Sequence, residues 1–232
     1  MRAHMQREIE KLKQQILALS AEVEGDVRTA VRAVEDRDPT LAQAVLDREV
    51  LTNAMEVDVE EECLKILALY QPVAADLRYI VAVLKINHDL ERIGDISVHI
   101  AERGLFLCEQ PRVETPFRIG QMADKTQAML KKVLDAFVNL NEAAAREVCA
   151  EDTEVDEMNR EIFRQVKEAV VKNPPQFEIV LQFLHISRHL ERIADHATNI
   201  AEDLIYLIEG RIVRHTPELS DKERGRAHLP DE

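Results

Sequence analysis

The chain has 232 residues, with 44 acidic against 30 basic side chains, a formal net charge of -14, and 46% hydrophobic but only 4% aromatic residues. A charge of this sign repels phosphate backbones and anionic membrane surfaces, which sets nucleic acid aside as a partner. Six glycines and no Trp are too few turn formers and aromatics for an all-β fold, leaving an all-α protein with room for two domains of about a hundred residues each.

Apolar positions Ile9, Leu12, Ile16, Leu19, Val23, Val27, Ala30, Val31 and Val34 recur at spacings of three and four, which predicts a first amphipathic helix over 6–36. Asp38 followed by Pro39 is a helix-start signal, and a second helix is predicted to reach Tyr70, with Leu41, Val45, Met55, Val59, Leu64 and Leu67 as its buried stripe. Gln71-Pro72 ends it and opens a third, in which Leu77, Ile80, Val81, Leu84, Ile93, Ile100 and Leu107 face inward. The stretch 109–116, with Pro111 and Pro116, reads as a junction. A fourth helix then runs to Leu140 with Met122, Met129, Val133 and Phe137 inside. Asn141 caps a fifth that stops before Asn173-Pro174-Pro175, and a sixth ends at Gly210. Residues 211–232 are polar and are expected to fray. The expected architecture is two tandem, pseudo-equivalent three-helix bundles, 6–108 and 116–210, set end to end or side by side.

The two halves are written in related words. Ile86 to Glu102 laid over Ile186 to Glu202 without a gap gives nine identities in seventeen positions, where chance gives about one, so the chain carries an internal duplication. Both copies hold an acid pair four residues apart, Glu91 with Asp95 and Glu191 with Asp195. Such side chains stack on one helix face, where like charges cost roughly 0.2–0.5 kcal/mol. A cost written twice points to a cation that offsets it. A third pair of the same spacing is Asp152 with Asp156. Laying Asp47–Val50 over Asp152–Val155, and Glu56 over Glu161, gives Asp47 as the first-half counterpart, with Leu51 in the place of Asp156.

Antiparallel packing brings Asp152 and Asp156 toward Glu191 and Asp195, and Asp47 toward Glu91 and Asp95. On a helical wheel of the sixth helix Glu191, Asp195 and Glu202 lie opposite the apolar stripe, which predicts a solvent-facing, oxygen-rich cluster suited to divalent or ferric cations such as Fe, Mn, Zn or Mg. The competing reading is a solvated face whose acids pair with Arg92 and Arg192. His88 and His99 share the face of Glu91 and Asp95 but are replaced by Arg188 and Asn199 in the second copy. His185, His189 and His196 form a separate stripe read as packing and polar contacts.

Catalytic motifs are missing from the sequence: there is no glycine-rich phosphate loop, HExxH or GxSxG. Cys63, Cys108 and Cys149 have no CxxC spacing and read as core residues in a reducing compartment. No run of about eighteen apolar residues spans a membrane, and the start lacks the apolar run of a signal peptide. A cytoplasmic location is expected.

Gln71-Pro-Val-Ala-Ala-Asp-Leu-Arg78, Leu90–Asp95, Leu190–Ala197 and Asn199–Glu202 together resemble the two repeats of the PhoU family. The likeness runs from Ile9 to Gly210 in order. It implies a regulator that represses phosphate uptake and the phosphate-starvation response, acting as an adaptor between the ATPase of a phosphate ABC transporter and a sensor histidine kinase. It also implies a homodimer that reaches the membrane only through these partners. The resemblance places the family's metal motifs on Glu91 and Asp95, on Glu191 and Asp195, and on Asp152 and Asp156. Only Asp47 marks the fourth, so the second half is expected to bind metal more readily. A metal-free acidic adaptor and a carboxylate-metal hydrolase are the alternatives.

Overall fold

The computed structural model describes residues 2–113 and 117–213. Six helices follow in order: α1 (Arg2–Asp36), α2 (Pro39–Tyr70), α3 (Ala74–Cys108), α4 (Ile119–Asn139), α5 (Glu142–Lys172) and α6 (Phe177–Glu209), with a 3-10 turn at Pro174–Gln176. Two caps act as the sequence indicates. The Asp38 carboxylate accepts from the N–H groups of Thr40 and Leu41, and the Asn141 side chain accepts from that of Ala144. Gly210 ends α6 at φ 74°, in the left-handed region that glycine enters without steric cost. The expected junction includes residues 114–116 and the expected tail includes 214–232, which lie outside the described residues. Arg211 and Ile212 are exposed, but Val213 turns back and is buried against the core.

The helices form two three-helix bundles, α1–α3 and α4–α6, lying side by side. The seam between them is α3 along α6, with a smaller contact of α1 with α4. Along this seam the helices are antiparallel and their contacts repeat about a local twofold. Arg78 approaches Gly210, Lys85 pairs with Asp203, Asn199 donates to Asp89, and His99 stacks on His189. Hydrophobic side chains of all six helices join in one continuous core.

Burial fixes the register between repeats. Ala42, Val45, Thr52, Val59 and Cys63 on α2 are buried, as are Ala145, Val148, Val155, Ile162 and Val166 on α5, each one hundred and three residues later. The α3 and α6 copies are one hundred apart, so the two repeats differ by three residues at the α2–α3 connection. The counterparts of Asp152 and Asp156 are therefore Glu49 and Asn53 rather than Asp47 and Leu51, and Glu56 corresponds to Asn159. The predicted stripe of α2 also needs correction, because Leu64 points outward at 53% exposure.

Candidate functional site

Gly94 sets the spacing at the first acid pair. A Cβ there would meet the Thr52 methyl at 3.3 Å, so its lack of a side chain lets α2 close on α3 between Glu91 and Asp95. Asn87 then fixes the neighbouring turn, donating to the Glu56 carboxylate at 2.8 Å and to the Glu56 carbonyl at 3.0 Å. Below the site, the buried Asp26 pairs with Arg48 at 3.0 Å and accepts from the Thr52 hydroxyl at 3.3 Å.

These contacts crowd carboxylates. Burial pushes the Glu91 carboxyl above its usual range, and nearby Asp95 pushes it further, while Arg92 and His88 oppose. The Glu56 carboxyl is raised by burial, then by Glu60 and Glu91. Arg92 lies 3.3 Å from Glu91 and 3.5 Å from Asp95, and His88 lies 3.7 Å from Glu91. The Glu91 side chain is 24% exposed. It is thus half-buried between helices instead of lying on an open face, because α2 covers the flank that a wheel of α3 alone leaves bare. Asp47 is exposed and accepts from Gln43 on its own helix at 2.8 Å.

In the second bundle, Asn159 accepts from the Ser187 hydroxyl at 2.9 Å and Arg146 pairs with Glu209. Between these ties the antiparallel register sets Asp156 level with Glu191, and Asp152 between Asp195 and Glu202. Asp152 is 1% exposed, while Asp156, Glu191 and Asp195 are half-buried. Each of the four is engaged by hydrogen bonds or electrostatic contact, and Arg160 lies 3.9 Å from Asp156. Burial, with Glu202 and Asp152 adding to it, pushes the Cys149 thiol up to about 12. That thiol is held protonated and is no nucleophile.

Half-buried carboxylates on facing turns are hard oxygen donors of the kind that divalent and ferric cations take. A cation would offset the repulsion that adds to burial in raising Glu91 and Glu56. Among the described residues, however, no three His, Cys, Asp or Glu side chains converge as a ready-made metal site. Glu56 and Glu60 were not legible as neighbours of Glu91 in the first site, because only the packing of α2 on α3 brings them together.

Histidines and acids along the seam do a different job. Asp89 contacts His196 Nδ1 at 2.8 Å and Asn199 at 3.2 Å, and Asp203 pairs with Lys85 at 3.1 Å. The His99 and His189 rings stack at 5.4 Å, with His189 lowered to about 4 by burial and by the neighbouring His99 and Arg103.

Fold and site together define a class: a duplicated three-helix-bundle protein with an acid pair on the last helix of each repeat. The PhoU domain model matches residues 5–104 and 119–204. This chain belongs to the PhoU family. It is 38% identical over 209 residues to the phosphate-specific transport system accessory protein PhoU homolog of Pseudomonas aeruginosa, covering 90% of this chain and 86% of that one. It is 35% identical to the homolog of Aquifex aeolicus, covering 90% and 95%. The crystal structure of PhoU from Pseudomonas aeruginosa superposes with a TM-score of 0.85 at 37% identity, over 89% of this chain and 99% of that one. The phosphate transport system regulatory protein PhoU from Streptococcus pneumoniae gives 0.79 at 30% identity, over 90% and 99%. No described helix is long and apolar enough to cross a membrane.

Proposed function

We propose that this chain is a non-enzymatic regulatory accessory protein of a phosphate uptake system. In this reading it restrains uptake and the starvation response by bridging the transporter ATPase and a sensor histidine kinase on the cytoplasmic side, as a homodimer. Family membership across nine-tenths of the chain is the observation that carries it. Cations such as Fe, Mn, Zn or Mg bind the acid pairs, most readily at Asp152, Asp156, Glu191 and Asp195, where the first half offers Glu49 and Asn53 against Glu91 and Asp95. Binding makes that surface less negative, so metal and partner affinities are coupled.

The test is elemental analysis of purified protein, followed by melting with and without each metal. The wild type should be stabilised by at least one of them and Asp195→Ala should lose that gain. The same preparations, with affinity-tagged ATPase and kinase, should retain partner only while metal is present. A second reading is favoured by the ion pairs of Arg92 with Glu91 and Asp95, which already offset charge without metal. In that case partner retention survives chelator and weakens with salt.

A further inference from the structure

The outer face of α2 is apolar where the fold does not require it. Val50, Val57 and Leu64, spaced seven residues apart, are 77%, 48% and 53% exposed. Exposed Leu51 and Ala54 fill the turn between the first two. At the register set by burial, the α5 counterparts of Val50, Val57 and Leu64 are Thr153, Arg160 and Lys167, and those of Leu51 and Ala54 are Glu154 and Glu157. The equivalent place in the second bundle therefore accepts a polar face, and α2 departs from it at five positions together. A seven-residue apolar repeat is the seam that one helix offers to another. From Val50 to Leu64 it runs about 21 Å, close to four turns.

Charge decides what covers it. Asp47, Asp58 and Glu60 are exposed on the same helix, Glu61 falls in line between Val57 and Leu64, and no Lys or Arg occurs from Glu49 to Leu64. A second copy laid on this face would set these acids against themselves, a repulsion that disfavours self-pairing. A helix with an apolar stripe flanked by Lys and Arg meets both the stripe and the acids, and its cations satisfy Glu61 as it is covered. We propose that the Val50–Val57–Leu64 face of α2 docks a basic amphipathic helix of a partner protein. The proposal deepens the adaptor reading, on which it rests for the partner being a protein, by naming the surface used.

The probe is a synthetic 21-residue peptide with Leu at seam positions and Lys and Arg flanking, compared with its scrambled isomer by fluorescence anisotropy on the full chain. The helical isomer should bind at least about tenfold more tightly than the scrambled one, and Val57→Ser with Leu64→Ser should erase that advantage. Glu157→Ser on α5 should change affinity by less than about twofold, since a remote exposed charge is screened. Both serine sites are exposed, so an unchanged melting curve shows the fold intact. Equal binding of the two isomers, or full binding by the double variant, overturns the proposal. So does light scattering that shows a wild-type dimer abolished by the double variant, which assigns the face to a second copy. Retention of ATPase and kinase by wild type is measured separately. If neither is retained the adaptor reading fails while the peptide still judges this face; if the double variant retains both, this face fails and that reading stands.

Discussion

Glu91 and His189 show how burial turns single residues into pH-dependent terms of opposite sign. The Glu91 carboxyl is raised, chiefly by burial and then by Asp95, so its protonated form is favoured in the folded state. Its contribution is present below the unfolded carboxyl value and lost as pH rises through the folded one. Glu91→Gln in metal-free protein should therefore be more stable than wild type at pH 7, by roughly 0.2–0.5 kcal/mol for one like-charge pair. Urea unfolding at low pH should show that gain vanish. His189 is lowered from 6.5 to about 4 by burial, then by His99, Arg103, Arg192 and His185. The native state binds fewer protons than the unfolded chain, so this stability is whole above pH 6.5 and lost as pH falls toward 4. His189→Phe keeps a ring against His99 and should flatten the acid limb of the stability profile by on the order of 2 kcal/mol.

Helices were the most legible level, because six apolar periodicities and the signals at Asp38, Asn141 and Gly210 all read out directly into elements. Register between elements was less so. The short match of Asp47–Val50 to Asp152–Val155 is local likeness two residues out of phase with the buried stripe, and single-helix periodicity cannot see a three-residue difference in a connection. The partner helix also decides how wet an acid is, which is why Glu91 and Asp152 lie deeper than the solvent-facing stripe expected from one helix alone. Gly94 illustrates the coupling between elements. Ala in a helix interior is favoured over Gly by about 1 kcal/mol, yet a Cβ at 94 meets the Thr52 methyl at 3.3 Å, and the Thr52 hydroxyl is tied to Asp26. Gly94→Ala alone should be close to neutral in chemical unfolding, whereas in a Thr52→Ser background it should stabilise by about 1 kcal/mol. Simple additivity of the two changes would show that α2 and α3 do not touch in this way.

At the scale of the whole molecule, the question is what keeps two bundles that share one continuous core in a single relative position. The seam of α3 and α6 answers with polar side chains: Asp89 with His196 and Asn199, Lys85 with Asp203 and over the Tyr206 ring at 5.3 Å. Such contacts add less stability than apolar packing, but their partners meet in one alignment of the helices, and they are expected to specify the pose. The duplicated acid pairs, Glu91 with Asp95 and Glu191 with Asp195, lie on these same two helices, which ties the separation of the two sites to the seam. Lys85→Ala removes one of the contacts that hold the buried Asp203 carboxylate and should cost about 2 kcal/mol, less than a fully enclosed pair because the lysine is partly exposed. Lys85→Met with Asp203→Leu removes both charges and should recover most of that loss. Stability and pose should then separate. The double variant should melt near wild type, yet a spin-label distance between an α2 site and an α5 site should broaden, because the apolar replacement tolerates more than one alignment. An unchanged distance distribution would show that the apolar contacts along α3 and α6 fix the pose by themselves.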